Sequence, residues 1–121
     1  MKVAFTEWNG RIAPVFDVAQ TVLMVEMEMD GNTSERLVGM PSGLPSAKVA
    51  FLIGQKVNTL VCGAISRQVR ELAEAKDIQV HPFVAGEIRD IVDAWRHGSL
   101  DQVQYSMPGC HRRQRSRRTN Q

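Results

Sequence analysis

The spacing of apolar and polar positions changes period along the chain, and each change marks an element. Lys2-Val3-Ala4-Phe5-Thr6 is a short apolar run of β type that leads into the turn-forming pair Asn9-Gly10. Thr21 to Met29 alternates most clearly. Leu23, Val25, Met27 and Met29 share one face, while Glu26 and Glu28 on the other predict that the far half of this strand meets water. Asp30-Gly31-Asn32 is a turn signal, so Thr33 to Met40 is expected to return antiparallel as a hairpin partner.

Beyond Pro41-Ser42-Gly43 the period lengthens. Pro45 stands where a first-turn proline belongs, and Ala47 to Ile53 is apolar almost all round, which predicts a buried helix ending near Gly54-Gln55-Lys56. Val57 to Cys62 predicts a buried strand. Ser66 then caps a second helix whose inward residues are expected to be Val69, Leu72 and Ala73. Ile78 to Val84 is the next strand, with Pro82 at its end or on an edge. Glu87 to His97 carries Ile88, Ile91, Val92 and Trp95 at helical spacing, and Gly98 stops it. The order β-β-β-α-β-α-β-α predicts an α/β fold: an antiparallel meander, then right-handed crossovers that add parallel strands. The expected sheet is mixed and five-stranded, order 3-2-1-4-5, the arrangement of the ribonuclease-H-like fold, with helices packed on it.

Length and composition narrow this picture. At 121 residues the chain has room for one core, and periodicity ends near residue 105. Residues 1–105 are expected to form the domain and residues 106–121 a flexible basic tail. A hydrophobic content of 43% with 23% charged residues excludes disorder of the whole chain. No apolar run approaches the roughly 20 residues that cross a bilayer. The N-terminus has no secretory apolar region, so the chain is read as cytoplasmic, without a membrane partner.

Charge separates body from tail. Residues 1–110 hold ten Lys/Arg against thirteen Asp/Glu, a net −3, whereas residues 111–121 add five arginines and no acid, a net +5. An acidic body makes nucleic acid an unfavoured partner, and the tail is either solvated or docks on an acidic partner.

The candidate chemistry centres on Leu60 to Gln68, where a buried strand passes through Gly63-Ala64-Ile65 to the helix cap Ser66. Two readings stay open: an economical turn, or a cradle of backbone N–H groups for an anion. In the expected topology Glu7-Trp8-Asn9, Gly63 to Arg67 and Phe83-Val84 meet at one mouth beyond the carboxyl ends of the strands. Arg67 and Arg70 stand one turn into the helix. Cys62 lies inside a buried strand and reads as a small core hydrophobe. Cys110, followed by His111 among arginines, is a candidate metal contact, because nearby cations favour the thiolate. His81 and His97 read as structural, and the methionines as packing. Trp8 either stacks on a ligand or covers core.

No catalytic machinery is legible. The strand Lys2 to Thr6 has no acid before Glu7, and Val57 to Cys62 has none, so the converging carboxylates of two-metal hydrolysis are missing. Gly-x-Ser-x-Gly, Walker and His-Glu-x-x-His patterns are absent too.

Four pieces in order, KVAFTEWNGRIAPVFDVAQ, VNTLVCGAISRQ, KDIQVHPFV and EIRDIVDAWRHGSL, give residues 1–100 a resemblance to the dinitrogenase iron–molybdenum cofactor biosynthesis family. That group includes nitrogenase cofactor carriers, the C-terminal domain of NifB and the orange protein, which holds a molybdenum–copper sulfide cluster. Two positions depart from the family pattern. Val15-Phe16-Asp17 stands where members commonly carry His-Phe-Gly, and Gly63-Ala64-Ile65-Ser66 where many have Gly-Gly-Ile-Gly. A metal-binding histidine therefore does not transfer. The resemblance implies a non-catalytic carrier that holds an anionic iron–molybdenum or molybdenum–copper sulfide cluster, or its precursor, non-covalently and passes it to a cofactor-assembly or acceptor protein. Gly63, Ile65 and the turn geometry transfer from the family. With the expected topology, the carrier reading makes Glu7, Trp8, Asn9, Arg11, Phe16, Gly63, Ala64, Ile65, Ser66 and Arg67 the site. In it Gly63 to Ser66 are backbone donors, Arg67 (with Arg70 or Arg11) neutralises charge, and Trp8 and Phe16 wall the pocket. Cys110 and His111 are possible metal contacts, and the chain is expected to be a monomer or weak homodimer. The alternative is an interaction module that works through its arginine-rich tail and has a vestigial pocket.

Overall fold

The computed structural model describes residues 1–98. Its sheet is built from β1 (Lys2–Trp8), β2 (Arg11–Ile12), β3 (Thr21–Met27), β4 (Thr33–Gly39), β5 (Thr59–Val61) and β6 (Gln79–His81). The strand order is β4-β3-β1-β5-β6, with β2 paired to the end of β1. β3 runs antiparallel to β1 and β4, whereas β5 is parallel to β1 and β6 to β5. The order of the five expected strands holds, but the sheet has six strands. The extra one is β2, joined to β1 through Asn9 and Gly10, both at positive φ (51° and 77°), with Trp8 opposite Arg11. That is the two-residue hairpin that an Asn-Gly pair favours.

The central strand explains the layering. Val3 and Phe5 point to one face of β1 and Ala4 to the other, and all are fully buried. One core packs Ala4, Val22, Met24, Leu60 and Cys62 beneath α1 (Pro45–Gly54) and α2 (Arg67–Ala75). The other packs Val3, Phe5, Leu23, Val25 and Val61 against Ile88, Ile91 and Val92 of α3 (Ile88–Arg96). Trp95 closes this second core edge-on to Phe5, ring centroids 6.1 Å apart at 84°, a geometry worth about 0.5–1.5 kcal/mol beyond its buried area. The mixed sheet therefore has helices on both faces.

Three expectations about faces are corrected. Met29 lies past the end of β3 and is fully exposed, because the Glu28–Asn32 turn has already begun. Leu72 is 37% exposed, since α2 turns only Val69 and Ala73 fully inward. The first helix is buried on one face rather than all round. Lys48, Val49 and Leu52 are its buried residues, while Ala47 and Ala50 face solvent and Ile53 is 40% exposed. The parallel strands are also shorter than expected, three residues each. The boundary at residue 105 and the basic tail lie outside the described residues.

Candidate functional site

At the carboxyl end of β1 the chain makes the β1–β2 hairpin, then crosses back as the irregular segment Ala13–Gln20 before entering β3. Ala13 N–H donates to Thr6 O at 3.0 Å, and a single 3-10 turn over Phe16–Val18 closes with Ala19 N–H donating to Phe16 O at 3.0 Å. Between this segment and the hairpin lies an open cleft of about 520 Å³, walled chiefly by Trp8, Asn9, Pro14, Val15, Val18 and Gln20. That volume is within the range of small-ligand sites, roughly 300–1,000 Å³. Trp8 is 57% and Val18 72% exposed at its rim. Glu7 contributes the one ionisable side chain among the described lining residues, and its carboxylate accepts Gly10 N–H at 2.8 Å.

The Gly63–Ser66 turn, expected at the same mouth, stands on the other side of the Ala13–Phe16 segment. Ala64 N–H donates to Pro14 O at 2.8 Å and Phe16 N–H to Ala64 O at 2.7 Å, with Val15 bridging Ala64 in parallel. The segment is thus a partition, one flank on the turn and the other on the cleft. Gly63 is needed for this contact: a Cβ there would stand 2.4 Å from Pro14 O and 2.5 Å from Ala13 O. Its small size serves a close backbone approach, as the economical-turn reading has it.

The amides expected to cradle an anion are partly committed inside the protein. Ser66 N–H donates to Asp17 Oδ1 at 3.4 Å, and Val69 N–H to Ser66 Oγ at 3.4 Å. Asp17 brings its own carboxylate to the positive end of α2, where the helix dipole favours negative charge. Phe16, expected as a pocket wall, is fully buried in the core beneath α1 and α2. Ile65 is core as well.

The arginines are engaged at the surface. Arg11 pairs with Glu87 at 2.9 Å, Arg67 with Glu71 at 3.7 Å and Arg70 with Glu74 at 3.1 Å. None of the three lines the cleft, and solvent screens such exposed pairs to about 0–1 kcal/mol each. Of the implicated residues, Glu7, Trp8 and Asn9 are brought together in the cleft. Arg11, Phe16 and Gly63 to Arg67 lie outside its lining.

Cys62 is a core thiol. Burial pushes it up to about 12, with the Arg70 charge opposing and Asp17 reinforcing the rise, so it stays protonated where a ligand would need the thiolate. His81 is half-buried in β6, its carbonyl accepting Cys62 N–H at 3.1 Å. His97 follows α3, with Nδ1 2.8 Å from Asp93 O. Among the described residues no group of three or more His, Cys, Asp and Glu side chains gathers as a metal site. No helix among them is long and apolar enough to cross a membrane. Cys110 and His111 lie outside the described residues.

One buried group escaped the sequence reading. Lys48 is 2% exposed, and its ammonium donates to Ala19 O at 2.7 Å and Pro41 O at 2.8 Å, behind the cleft wall. The available signal was a lone charge on the inward face of an otherwise apolar helix, flanked by Val49 and Leu52.

Fold and site together define an α/β domain with a mixed, doubly covered sheet and an open cleft beyond the carboxyl end of its central strand. The chain belongs to the dinitrogenase iron–molybdenum cofactor family, whose model matches residues 1–98. Three solved structures share the fold. The protein PH0822 superposes with a TM-score of 0.75 at 20% identity, over 81% of this chain and 90% of that one. The apo form of the orange protein from Desulfovibrio gigas gives 0.67 at 17%, over 81% and 88%. A candidate dinitrogenase from Methanocaldococcus jannaschii gives 0.66 at 19%, over 87% and 96%. No curated protein matches the chain.

Proposed function

We propose that this chain is a non-catalytic carrier for an anionic metal–sulfur cofactor or its precursor, of the iron–molybdenum or molybdenum–copper type, which it delivers to a cofactor-assembly or acceptor protein. Membership of the iron–molybdenum cofactor family across residues 1–98 carries this reading. The cleft beside Trp8 supplies a place for the cargo. Its described lining residues include no thiol or imidazole, so among them the cargo is held by hydrogen bonds and by contact with Trp8, Val15 and Val18 rather than by protein–metal bonds. Such a site releases its guest intact, as delivery requires. In this reading Gly63 to Ser66 act at one remove, by seating the partition that forms the cleft wall, and Arg67 and Arg11 contribute long-range attraction.

The test is anaerobic purification with metal analysis, followed by visible-absorbance titration with tetrathiomolybdate or an extracted cofactor. Uptake of one cluster equivalent at micromolar protein is expected, and its absence overturns the proposal. A second reading, an interaction module acting through its arginine-rich tail, gains support from the commitment of the Ala64 and Ser66 amides to internal partners. Deleting residues 111–121 separates the two: cluster uptake survives under the carrier reading, while partner capture is lost under the other.

A further inference from the structure

Lys48 is the buried charge that the reading above leaves unused. An ammonium taken out of water is costly unless it is both hydrogen-bonded and faced by a counter-charge. Lys48 has two carbonyl acceptors, Ala19 O and Pro41 O. Among the described residues none of the ion pairs formed by Arg11, Arg67, Arg70 and Arg89 includes it. Hydrogen bonds from carbonyls satisfy its donors without cancelling its charge.

The first of those acceptors belongs to the cleft. Ala19 lines the cleft, as does Gln20, whose N–H shares a peptide unit with Ala19 O. That peptide is trans, since the described chain has no cis bond. In a planar trans peptide the C=O and N–H point in opposite directions. With Ala19 O turned inward to the ammonium, Gln20 N–H is turned away from it, on a residue that is exposed. Among the described residues Gln20 N–H makes no hydrogen bond, although the Gln20 carbonyl accepts Met40 N–H at 2.8 Å. A cation on the oxygen of a peptide polarises its N–H and strengthens it as a donor. Among the described residues the cleft lining also has no positively charged side chain to do this work directly.

We propose that Lys48 is the cation of the cleft: from behind the wall it polarises the Ala19–Gln20 peptide, so that Gln20 N–H binds an anionic guest such as the sulfido face of a metal–sulfur cluster. This inference rests on the carrier reading and gives it a positioning residue and a specific donor. It also accounts for a lysine kept inside the fold, since the guest provides the missing counter-charge.

The experiment is equilibrium dialysis of the full chain against tetrathiomolybdate, with molybdenum retained per protein as the readout. The variants are Gln20→Pro, Gln20→Ala and Lys48→Met, and thermal melts run beside them. Ala19, at φ −66° and ψ 142°, already has the extended geometry that a following proline requires, so Gln20→Pro deletes the N–H without disturbing the residue that Lys48 holds. Gln20→Ala, which keeps the amide and removes only the side chain, is expected to lose less binding than Gln20→Pro. Gln20→Pro is expected to lose about tenfold or more, the worth of a charge-assisted hydrogen bond, and Lys48→Met to lose at least as much. Wild-type protein that retains no molybdenum refutes the carrier reading and this inference with it. Wild-type protein that binds, with Gln20→Pro binding equally well at an unchanged melting temperature, leaves the carrier reading standing and overturns the role of the peptide.

Discussion

Replacing Gly63 by alanine tests whether this glycine serves packing or ligand binding. The added Cβ would meet Pro14 O at 2.4 Å, Ala13 O at 2.5 Å and the Pro14 carbonyl carbon at 2.8 Å, all backbone atoms that no rotamer change can move aside. Reaching ordinary contact requires the Ala13–Pro14 backbone to retreat by about 1 Å. The bonds Ala64 N–H to Pro14 O and Phe16 N–H to Ala64 O, now 2.8 and 2.7 Å, would then stretch toward breaking. Each is worth about 0.5–1.5 kcal/mol, and forced overpacking in a full core adds about 1–3 kcal/mol. The expected loss is therefore about 2–6 kcal/mol, against a total stability of about 5–15 kcal/mol for a domain. At about 4–8 °C per kcal/mol for a domain of this size, circular dichroism should report a melting temperature lower by about 10 °C or more. Gly54→Ala is the control. It sits at the end of α1, where a Cβ meets nothing within 4 Å, and should be neutral or stabilising by up to about 1 kcal/mol. If Gly63→Ala melts within about 2 °C of wild type, the close-approach account is wrong, and a glycine required only by a bound anion becomes the better explanation.

Three further outcomes follow from single groups. The thiol of Cys62 is raised in the folded state from 9.0 to about 12, so the unfolded chain loses this proton first as pH rises. Its contribution to stability is complete below pH 9 and is lost between there and 12, at about 1.4 kcal/mol per pH unit; urea midpoints measured from pH 8 to 10.5 should fall more steeply for wild type than for Cys62→Ala, and parallel curves would contradict this. Asp17→Asn removes the carboxylate at the start of α2 and should cost about 0.3–1 kcal/mol, less at high salt, so a variant as stable as wild type at low ionic strength refutes the capping role. The Thr6 hydroxyl is buried without a hydrogen-bond partner among the described residues; Thr6→Val should stabilise the fold by about 1 kcal/mol, whereas a loss of that size in urea melts would mean that the hydroxyl is satisfied.

What the sequence makes legible follows from how each signal arises. Alternation in Thr21–Met27 and the 3.6-residue spacing of Ile88, Ile91, Val92 and Trp95 are imposed by burial, so strand order and the α3 face are readable from them. The two-residue strand β2 is too short for any period, and only Asn9-Gly10 announced it. Leu72 and Met29 misled because an apolar residue is no guarantee of burial once an element turns or ends. The site was half legible. Glu7 and Trp8 end β1 and Asn9 opens the turn after it, so a topology suffices to place them at the mouth. Val15, Val18 and Gln20 lie on an aperiodic segment whose path is fixed by hydrogen bonds to Thr6, Ala64 and Met40, long-range contacts that leave no local pattern.

The same segment explains why amides at the opening of α2 already have partners inside the protein, although the local sequence there suits an anion site. A strand-to-helix turn with a small residue and a Ser cap presents amides to whatever anion is nearest. Here the nearest is Asp17, which the 3-10 turn carries to Ser66 N–H. By placing Asp17 against α2, the chain gives Ser66 N–H an internal acceptor, while Val15 and Val18 line the cleft. The cleft is open, and among the described residues its lining carries one acid and no cation. In the proposed carrier, positive charge reaches an anionic cargo through the wall, and the buried ammonium of Lys48, 2.7 Å from a carbonyl of that wall, is in position to supply it. The two features are linked by the Ala13–Gln20 segment, whose 3-10 turn carries Asp17 to Ser66 N–H and whose last peptide sets Ala19 O on the Lys48 ammonium. A Lys48→Met protein that folds and still takes up tetrathiomolybdate as wild type does would break that link.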